Sequence, residues 1–210
     1  MKPMPVVTRW WWIRHAPVPD GGRIYGQSDL PCDCSDAGTF ATLAAEIPAN
    51  AVWVTSNLMR TTLTAQAICA ADPRKFAEVE LRVLPELAEQ HLGDWQGCDR
   101  HAFYAARKVG THQLSFAAAD ERPPGGESFT DLVARVTPAI ERLNRDHRGR
   151  DIVAVTHGGT IRAALGLALG LAPDVALAFA TENCSLTRLD HLPAGLWRVV
   201  AVNRRPSPRG

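Results

Sequence analysis

Two histidines and two arginines stand where apolar runs of the chain stop. Arg14-His15 ends VVTRWWWI (6–13), Arg60 lies five residues beyond AVWVT (51–55), and His157-Gly158-Gly159 ends DIVAVT (151–156). These residue types share one chemical use. A guanidinium presents a planar fork of donors that matches phosphate oxygens, and a neutral imidazole can attack as a nucleophile. A helix N-terminus adds backbone N–H groups and the positive end of its dipole, and paired glycines let backbone approach an anion closely. The set suits a phosphate or similar tetrahedral anion, with one histidine able to attack it. Each residue alone has a blander reading. A single histidine at a strand end is usually a hydrogen-bonded structural residue, and a single helical arginine usually lays its stem on apolar surface. The weight comes from three corresponding positions.

For these residues to meet, the three apolar runs must be neighbouring strands, because ligands of open α/β sheets bind beyond the carboxyl ends of the strands. The rest of the chain supplies the connections. Residues 16–34 read as loop, and Ser35 reads as the cap of a helix that Pro48 stops. A helix covers 58–71, with apolar positions 58, 65, 68 and 69. A short extended piece and a glycine-containing loop fill 80–97, followed by a helix over 99–109 and an irregular connection over 110–126. Ser128 or Thr130 begins a longer helix with Leu132, Val133, Val136, Ile140 and Leu143 on one face. Another helix covers 160–170, and 184–190 and 196–202 read as strands joined by a Pro-Ala-Gly turn. Strands alternating with helices predict an α/β fold, a mostly parallel central sheet with helices on both faces. We expect one domain over 1–210, with a small cap insertion around 90–126.

Composition narrows the partners. The chain has 210 residues, 46% hydrophobic and 21% charged, with a formal net charge of +1. That balance gives no general reason to expect nucleic acid or an anionic membrane. No apolar run is long enough to span a bilayer, and the N-terminus lacks the pattern of a signal peptide. Five cysteines, at 32, 34, 69, 98 and 184, contain no C-x-x-C pair, which argues against a disulfide framework or a structural zinc site. Cys32-Asp33-Cys34 is a weak metal-ligand pair, and loop cysteines in a reducing cytoplasm are the better reading. The G-x-x-x-x-G-K-[ST] and G-x-G-x-x-G loops are absent, and Asp29, Asp33 and Asp36 lack metal-site spacing. The expectation is a cytoplasmic protein that binds a small molecule bearing a phosphate or similar anion, with no metal, cofactor, nucleic acid or membrane. A homodimer is left open.

At the strand-end residues the sequence resembles the histidine phosphatase superfamily, also called the phosphoglycerate mutase-like family. IRHA (13–16) is similar to its R-H-G signature, YGQSDLP (25–31) to the loop that follows, and TSNLMRTTLTA (55–65) to S-x-L-x-R-x-x-x-T-A. LAEQHLGDWQG (87–97) is similar to L-x-E-x-x-x-G-x-W-x-G, and GGES (125–128) and VTHGG (155–159) complete the series. One such motif is weak; six in the family's order, over almost the whole chain, are specific. The resemblance implies that His15 is the nucleophile and carries the phosphoryl group. It implies that Arg14, Arg60 and His157 clamp the phosphoryl oxygens beside Gly158, and that Glu89 is the general acid and base. Glu86 fits the motif's register poorly and reads as structural. To attack, His15 must be unprotonated on its reacting nitrogen, which a hydrogen bond from its other nitrogen to a backbone carbonyl would secure.

Two departures from the family pattern stand out. Ala16 replaces the usual glycine, so the backbone must tolerate a Cβ close to the phosphate. Cys32-Asp33 reads as a two-residue insertion, with Ser35 taking the helix-cap position. The loop RHAPVPDGGRIYGQSDLP most resembles α-ribazole phosphatase-like members, which makes Arg23 and Tyr25 candidates for substrate contact; for Tyr25, loop packing is an equal reading. The small cap and the absence of a long basic C-terminal segment favour a phosphatase. A phosphoglycerate mutase-type phosphotransferase and a non-catalytic phospho-ligand binding protein are the alternatives.

Overall fold

Three tryptophans in a row, followed by isoleucine, demand burial on both sides of a strand, and β1 (Thr8–Arg14) has it. A computed structural model describes residues 6–107 and 117–206. Side chains alternate across a strand with period two. Trp10 and Trp12 therefore share one face, where their rings stack 4.6 Å apart, and Ile13 occupies the other. In the six-stranded sheet β1 lies between β4 (Asp151–Thr156) and β5 (Leu186–His191), in the order β3-β2-β4-β1-β5-β6. β2 (Val52–Thr55) and β3 (Leu81–Val83) extend the parallel part, while β5 and β6 (Trp197–Arg204) are antiparallel. The fold is α/β with a mostly parallel sheet, as the alternation of elements predicts.

Helices cover both faces. α1 (Ala37–Glu46) and α2 (Met59–Ala71) pack Phe40, Leu43, Ala65 and Ile68 onto Ile13, Trp53, Val153 and Val155. On the other face, α4 (Phe129–Asp146) and α5 (Gly158–Leu169) pack Leu132, Val136, Ile140 and Ile161 onto Trp10, Trp12, Val54 and Ala154. Burying Trp10 requires a partner for its indole N–H, and Asn144 of α4 accepts that bond at 2.8 Å. α3 (Arg100–Ala106) belongs to the 90–126 region, and α6 (Pro173–Ala176) follows α5.

Several boundaries differ from the sequence reading. The cap of α1 is Asp36, which accepts from the Thr39 N–H; the Ser35 N–H is instead held by Asp33. Ser128, not Thr130, caps α4, through a reciprocal pair with Asp131. α5 begins at Gly158 rather than 160, because its first turn absorbs both glycines and Ile161 N–H already donates to the His157 carbonyl at 3.0 Å. α3 ends at Ala106. The end of the expected 99–109 helix, part of the 110–126 connection and the last residues of the tail lie outside the described residues. Among those described, no helix is long and apolar enough to cross a membrane.

Candidate active site

The strand register decides which side chains meet. Arg14 pairs with Thr156 across the parallel β1–β4 ladder, so the next residues of each strand, His15 and His157, leave the sheet side by side. Their rings lie 5.2 Å apart. β2 ends one strand over, and its continuation delivers Ser56 and then Arg60 in the first turn of α2. His15, Arg60 and His157 are all fully buried.

His15 is fixed from three directions. Its backbone N–H donates to the Thr156 carbonyl at 2.9 Å, and its own carbonyl accepts from Asn183 Nδ2 at 2.7 Å. The ring Nδ1 lies 2.7 Å from the Ala16 carbonyl. A carbonyl can only accept, so Nδ1 carries the proton and Nε2 the lone pair. Burial, reinforced by the neighbouring Arg14 and Arg60 charges, holds this imidazole well below its usual value, against a smaller opposing effect of the Ala16 carbonyl. The ring is therefore neutral near pH 7 and its Nε2 is a free nucleophile.

His157 is lowered in the same way, by burial first and then by His15, Arg60 and Arg14. Its Nε2 lies 2.8 Å from the Ser56 hydroxyl. With Ser56 donating to Nε2, His157 keeps its proton on Nδ1 as a donor. Arg60 uses its terminal nitrogens on the carbonyls of Gly26 and Ser28, at 2.6 and 2.9 Å, and stacks 5.0 Å from the Tyr25 ring centroid. Burial pushes Arg60 down from its ordinary value, and the Glu89 carboxylate opposes that shift. Arg14 holds the Thr181 carbonyl at 2.6 Å.

Four buried polar atoms remain without a protein partner here: Arg14 Nε, His15 Nε2, Arg60 Nε and His157 Nδ1. Buried polar atoms are almost always paired. Three of these are donors and the fourth is a lone pair, which is what a tetrahedral anion and an attacking nucleophile require. A cavity of about 400 Å³ opens beside Arg14, lined also by Tyr25, Glu89, Gly158, Arg162 and Asn183 among others; His15, Arg60 and His157 are buried outside its lining. A larger hollow of about 550 Å³, beside Asn50, Arg74 and Arg82, contains none of the strand-end residues.

Glu89 reaches this cavity from the loop after β3. Its carboxylate accepts from the Gly159 N–H, at 3.2 and 3.3 Å to its two oxygens, and from its neighbour Gln90. A Cβ at position 159 would collide with that carboxylate, so glycine there admits the acid to the helix end. Gln27 and Arg135 hold the Glu89 backbone carbonyl. Glu86 points elsewhere, to Arg142 at 2.9 Å, in keeping with a structural role.

Not every expected residue arrives. Arg23 is exposed and spends its guanidinium on the Gly97 carbonyl, outside the cavity lining. Its backbone pairs with Asp99 in an isolated bridge, which directs the side chain away. Tyr25 does line the cavity, edge-on to His15 at 6.4 Å. The Ala16 methyl belongs to the buried cluster under α1 and α2, so the substitution for glycine fills core. Cys32 lies 3.6 Å from Cys34 and donates to the Arg60 carbonyl, and all five cysteines are free. Ser56 stands at the first position of the S-x-L-x-R pattern, whereas no local spacing marks Arg162 or Asn183.

The sequence matches the histidine phosphatase superfamily (branch 1) over residues 10–205. It is 33% identical to phosphoglycerate mutase-like protein 4 of Arabidopsis thaliana, over 72% of this chain and 66% of that one. It is 35% identical to glucosyl-3-phosphoglycerate phosphatase of Mycobacterium tuberculosis, over 71% and 68%. The chain thus spans about two thirds of the length of these relatives. The solved α-ribazole phosphatase of Shigella flexneri superposes with a TM-score of 0.77 at 20% identity, covering 96% of this chain and 99% of that one; at that identity the likeness is one of fold.

Proposed function

Because the chain belongs to the histidine phosphatase superfamily and is an enzyme of the phosphatase and mutase type, we propose that it hydrolyses a small phosphomonoester through a phosphohistidine on His15. The observation that carries this reading is that Arg14 Nε, Arg60 Nε and His157 Nδ1 are buried without a protein partner, as is His15 Nε2, the nitrogen left to attack. His15 Nε2 attacks phosphorus, and the ester P–O bond breaks. Glu89 acts as the general acid and gives a proton to the departing alkoxide. Arg14, Arg60 and the His157 Nδ1–H stabilise the oxygens of the transferring group, where preorganised donors in a dry site are worth most. Glu89, now a carboxylate held at the Gly159 N–H, then takes a proton from water as the water attacks phosphorus. The P–N bond breaks and phosphate leaves. The five free thiols suit a reducing compartment such as the cytoplasm.

The test is turnover of an aryl phosphate in the presence of a chelator, with trapping of the phosphoenzyme. The expected intermediate is acid-labile and absent from His15→Ala. No turnover together with no such intermediate would sink the enzyme reading. Phosphoryl transfer between positions of phosphoglycerate that outpaced hydrolysis would replace the phosphatase by a mutase.

A further inference from the structure

The general acid is held by the chain around it rather than by its carboxyl. Among the described residues the Glu89 carboxylate accepts only from two backbone N–H groups, those of Gln90 and Gly159. A guanidinium placed on the carboxylate itself would favour its charged form and oppose its work as a proton donor. Arg135 of α4 grips the backbone instead. Its Nη1 donates to the carbonyls of Glu86 at 2.7 Å and Ala88 at 3.2 Å, and its Nη2 to the Glu89 carbonyl at 3.4 Å. The remaining two N–H groups, on Nη2 and Nε, go to the two carboxylate oxygens of Glu127 at 2.5 and 3.3 Å. A guanidinium has five N–H donors, and these five contacts account for all of them. The Arg135 charge is met by Glu127 in the two-pronged geometry that fixes a guanidinium most firmly, away from the acid.

Glu127, the acidic residue of GGES, extends the grip. Its N–H donates to the His91 carbonyl at 2.8 Å, and its carboxylate accepts from the His91 N–H at 3.1 Å. Its carbonyl accepts from Gln90 Nε2 at 2.8 Å. Thr160 of α5 donates to the Leu87 carbonyl at 3.1 Å. Each residue from 86 to 91 is thus bonded to Arg135, Glu127 or Thr160. Neither Arg135 nor Glu127 lines the cavity, so any effect on the reaction passes through Glu89.

We propose that Arg135, oriented by Glu127, is a positioning residue for the general acid, and that its grip on the 86–89 carbonyls sets where the Glu89 carboxyl meets the leaving oxygen. This rests on the phosphomonoesterase reading above. A donated proton matters more as the leaving oxygen becomes more basic, and kcat/KM reports the barrier up to P–O cleavage, before Glu89 acts as base. The experiment therefore measures kcat/KM on 4-nitrophenyl phosphate and on phenyl phosphate, whose leaving oxygen is the more basic. The proteins are the wild type, Arg135→Gln, Glu127→Gln, Glu89→Gln and the Arg135→Gln/Glu89→Gln double variant. Arg135→Gln is expected to lose at least about 5-fold more on the phenyl than on the nitrophenyl ester, and Glu127→Gln to show the same bias. Adding Arg135→Gln to Glu89→Gln should cost little more on the phenyl ester, because the two act through one proton. A merely structural role lowers the folded fraction and so lowers both esters equally. Where Arg135→Gln does not fold, the bias in Glu127→Gln decides. Equal losses on the two esters in the Arg135 and Glu127 variants, while Glu89→Gln is biased, overturn the proposal alone, and so do additive losses in the double variant. No bias in Glu89→Gln, or no turnover and no phosphohistidine in the wild type, brings down the underlying reading and the proposal with it.

Discussion

Replacing Thr64 by valine should loosen the nucleophile from a distance. The Thr64 hydroxyl accepts from the Ala16 N–H at 2.8 Å and donates to the Arg60 carbonyl at 2.7 Å, in a place with no exposed surface. Ala16 in turn supplies the carbonyl that holds His15 Nδ1. Valine keeps the shape and helix propensity of threonine but leaves a buried N–H without an acceptor. That costs about 1–3 kcal/mol, which in a domain of this size lowers Tm by roughly 2–12 °C. The freed Ala16 turn also lets the imidazole wander, and a displacement of about 1 Å at a reacting group costs on the order of 100-fold. We therefore expect Thr64→Val to lose about 10- to 100-fold in kcat/KM on an aryl phosphate and to melt earlier. Thr64→Ser, which keeps the hydroxyl, should stay within about three-fold of wild type on the same reasoning. Differential scanning fluorimetry and steady-state kinetics on the three proteins decide the matter. Unchanged melting and activity in Thr64→Val would refute the reasoning, and so would an equal loss in Thr64→Ser.

Two further outcomes follow from buried groups and close backbone. His15 and His157 are both depressed below their ordinary value of 6.5, so the folded protein binds fewer protons than the unfolded chain once pH drops below about 6.5. Stability is then complete above that pH and falls as pH decreases toward the folded values, by up to about 1.4 kcal/mol per pH unit for each histidine. Urea midpoints at pH 7.5, 6.5 and 5.5 should decline accordingly, and a His15→Gln variant should decline less steeply; equal slopes would contradict the assignment. Gly93 has φ +48° and packs its turn against 124–126, where a Cβ would sit 2.6 Å from the Gly126 N and closer still to the Pro124 carbonyl. Gly93→Ala should destabilise by about 2 kcal/mol or more, from the left-handed backbone and the clash together, and a urea midpoint equal to wild type would show that the turn can yield.

What the sequence reveals here, it reveals through abrupt changes of polarity. Three apolar runs ending in Arg-His, Ser-Asn and His-Gly could be neighbouring parallel strands or unrelated edges, and the β1–β4 and β2–β4 ladders make them neighbours. The choice of helix cap was harder, because Ser35 and Asp36 are adjacent and equally fit to cap. Asp33 settles it by taking the Ser35 N–H. Asn183 was illegible for a different reason. It reaches His15 because β5 runs antiparallel beside β1, bringing Cys184 N–H to the Arg14 carbonyl and Arg14 N–H to that of Ser185. That meeting of residues far apart in the chain leaves no periodic trace. Arg23 shows the converse: it is near the signature loop along the chain, yet its guanidinium lies on the Gly97 carbonyl, outside the cavity lining.

The tryptophan run and the site it ends in are one construction. Each orphaned buried donor or acceptor costs about 1–3 kcal/mol, and four of them meet around His15. Stability alone would disfavour that arrangement at every one of the four positions. It persists because β1 is clamped on both faces, by Trp10 and Trp12 under α4 and α5 and by Ile13 and Ala16 under α1 and α2. Ala16 belongs to this logic. A glycine there would leave the turn freer, whereas the alanine methyl adds packing on the α1 side while its N–H and carbonyl stay committed to Thr64 and His15. The residue that looks like a departure at the phosphate is, by its contacts, a fastening of the nucleophile to the core.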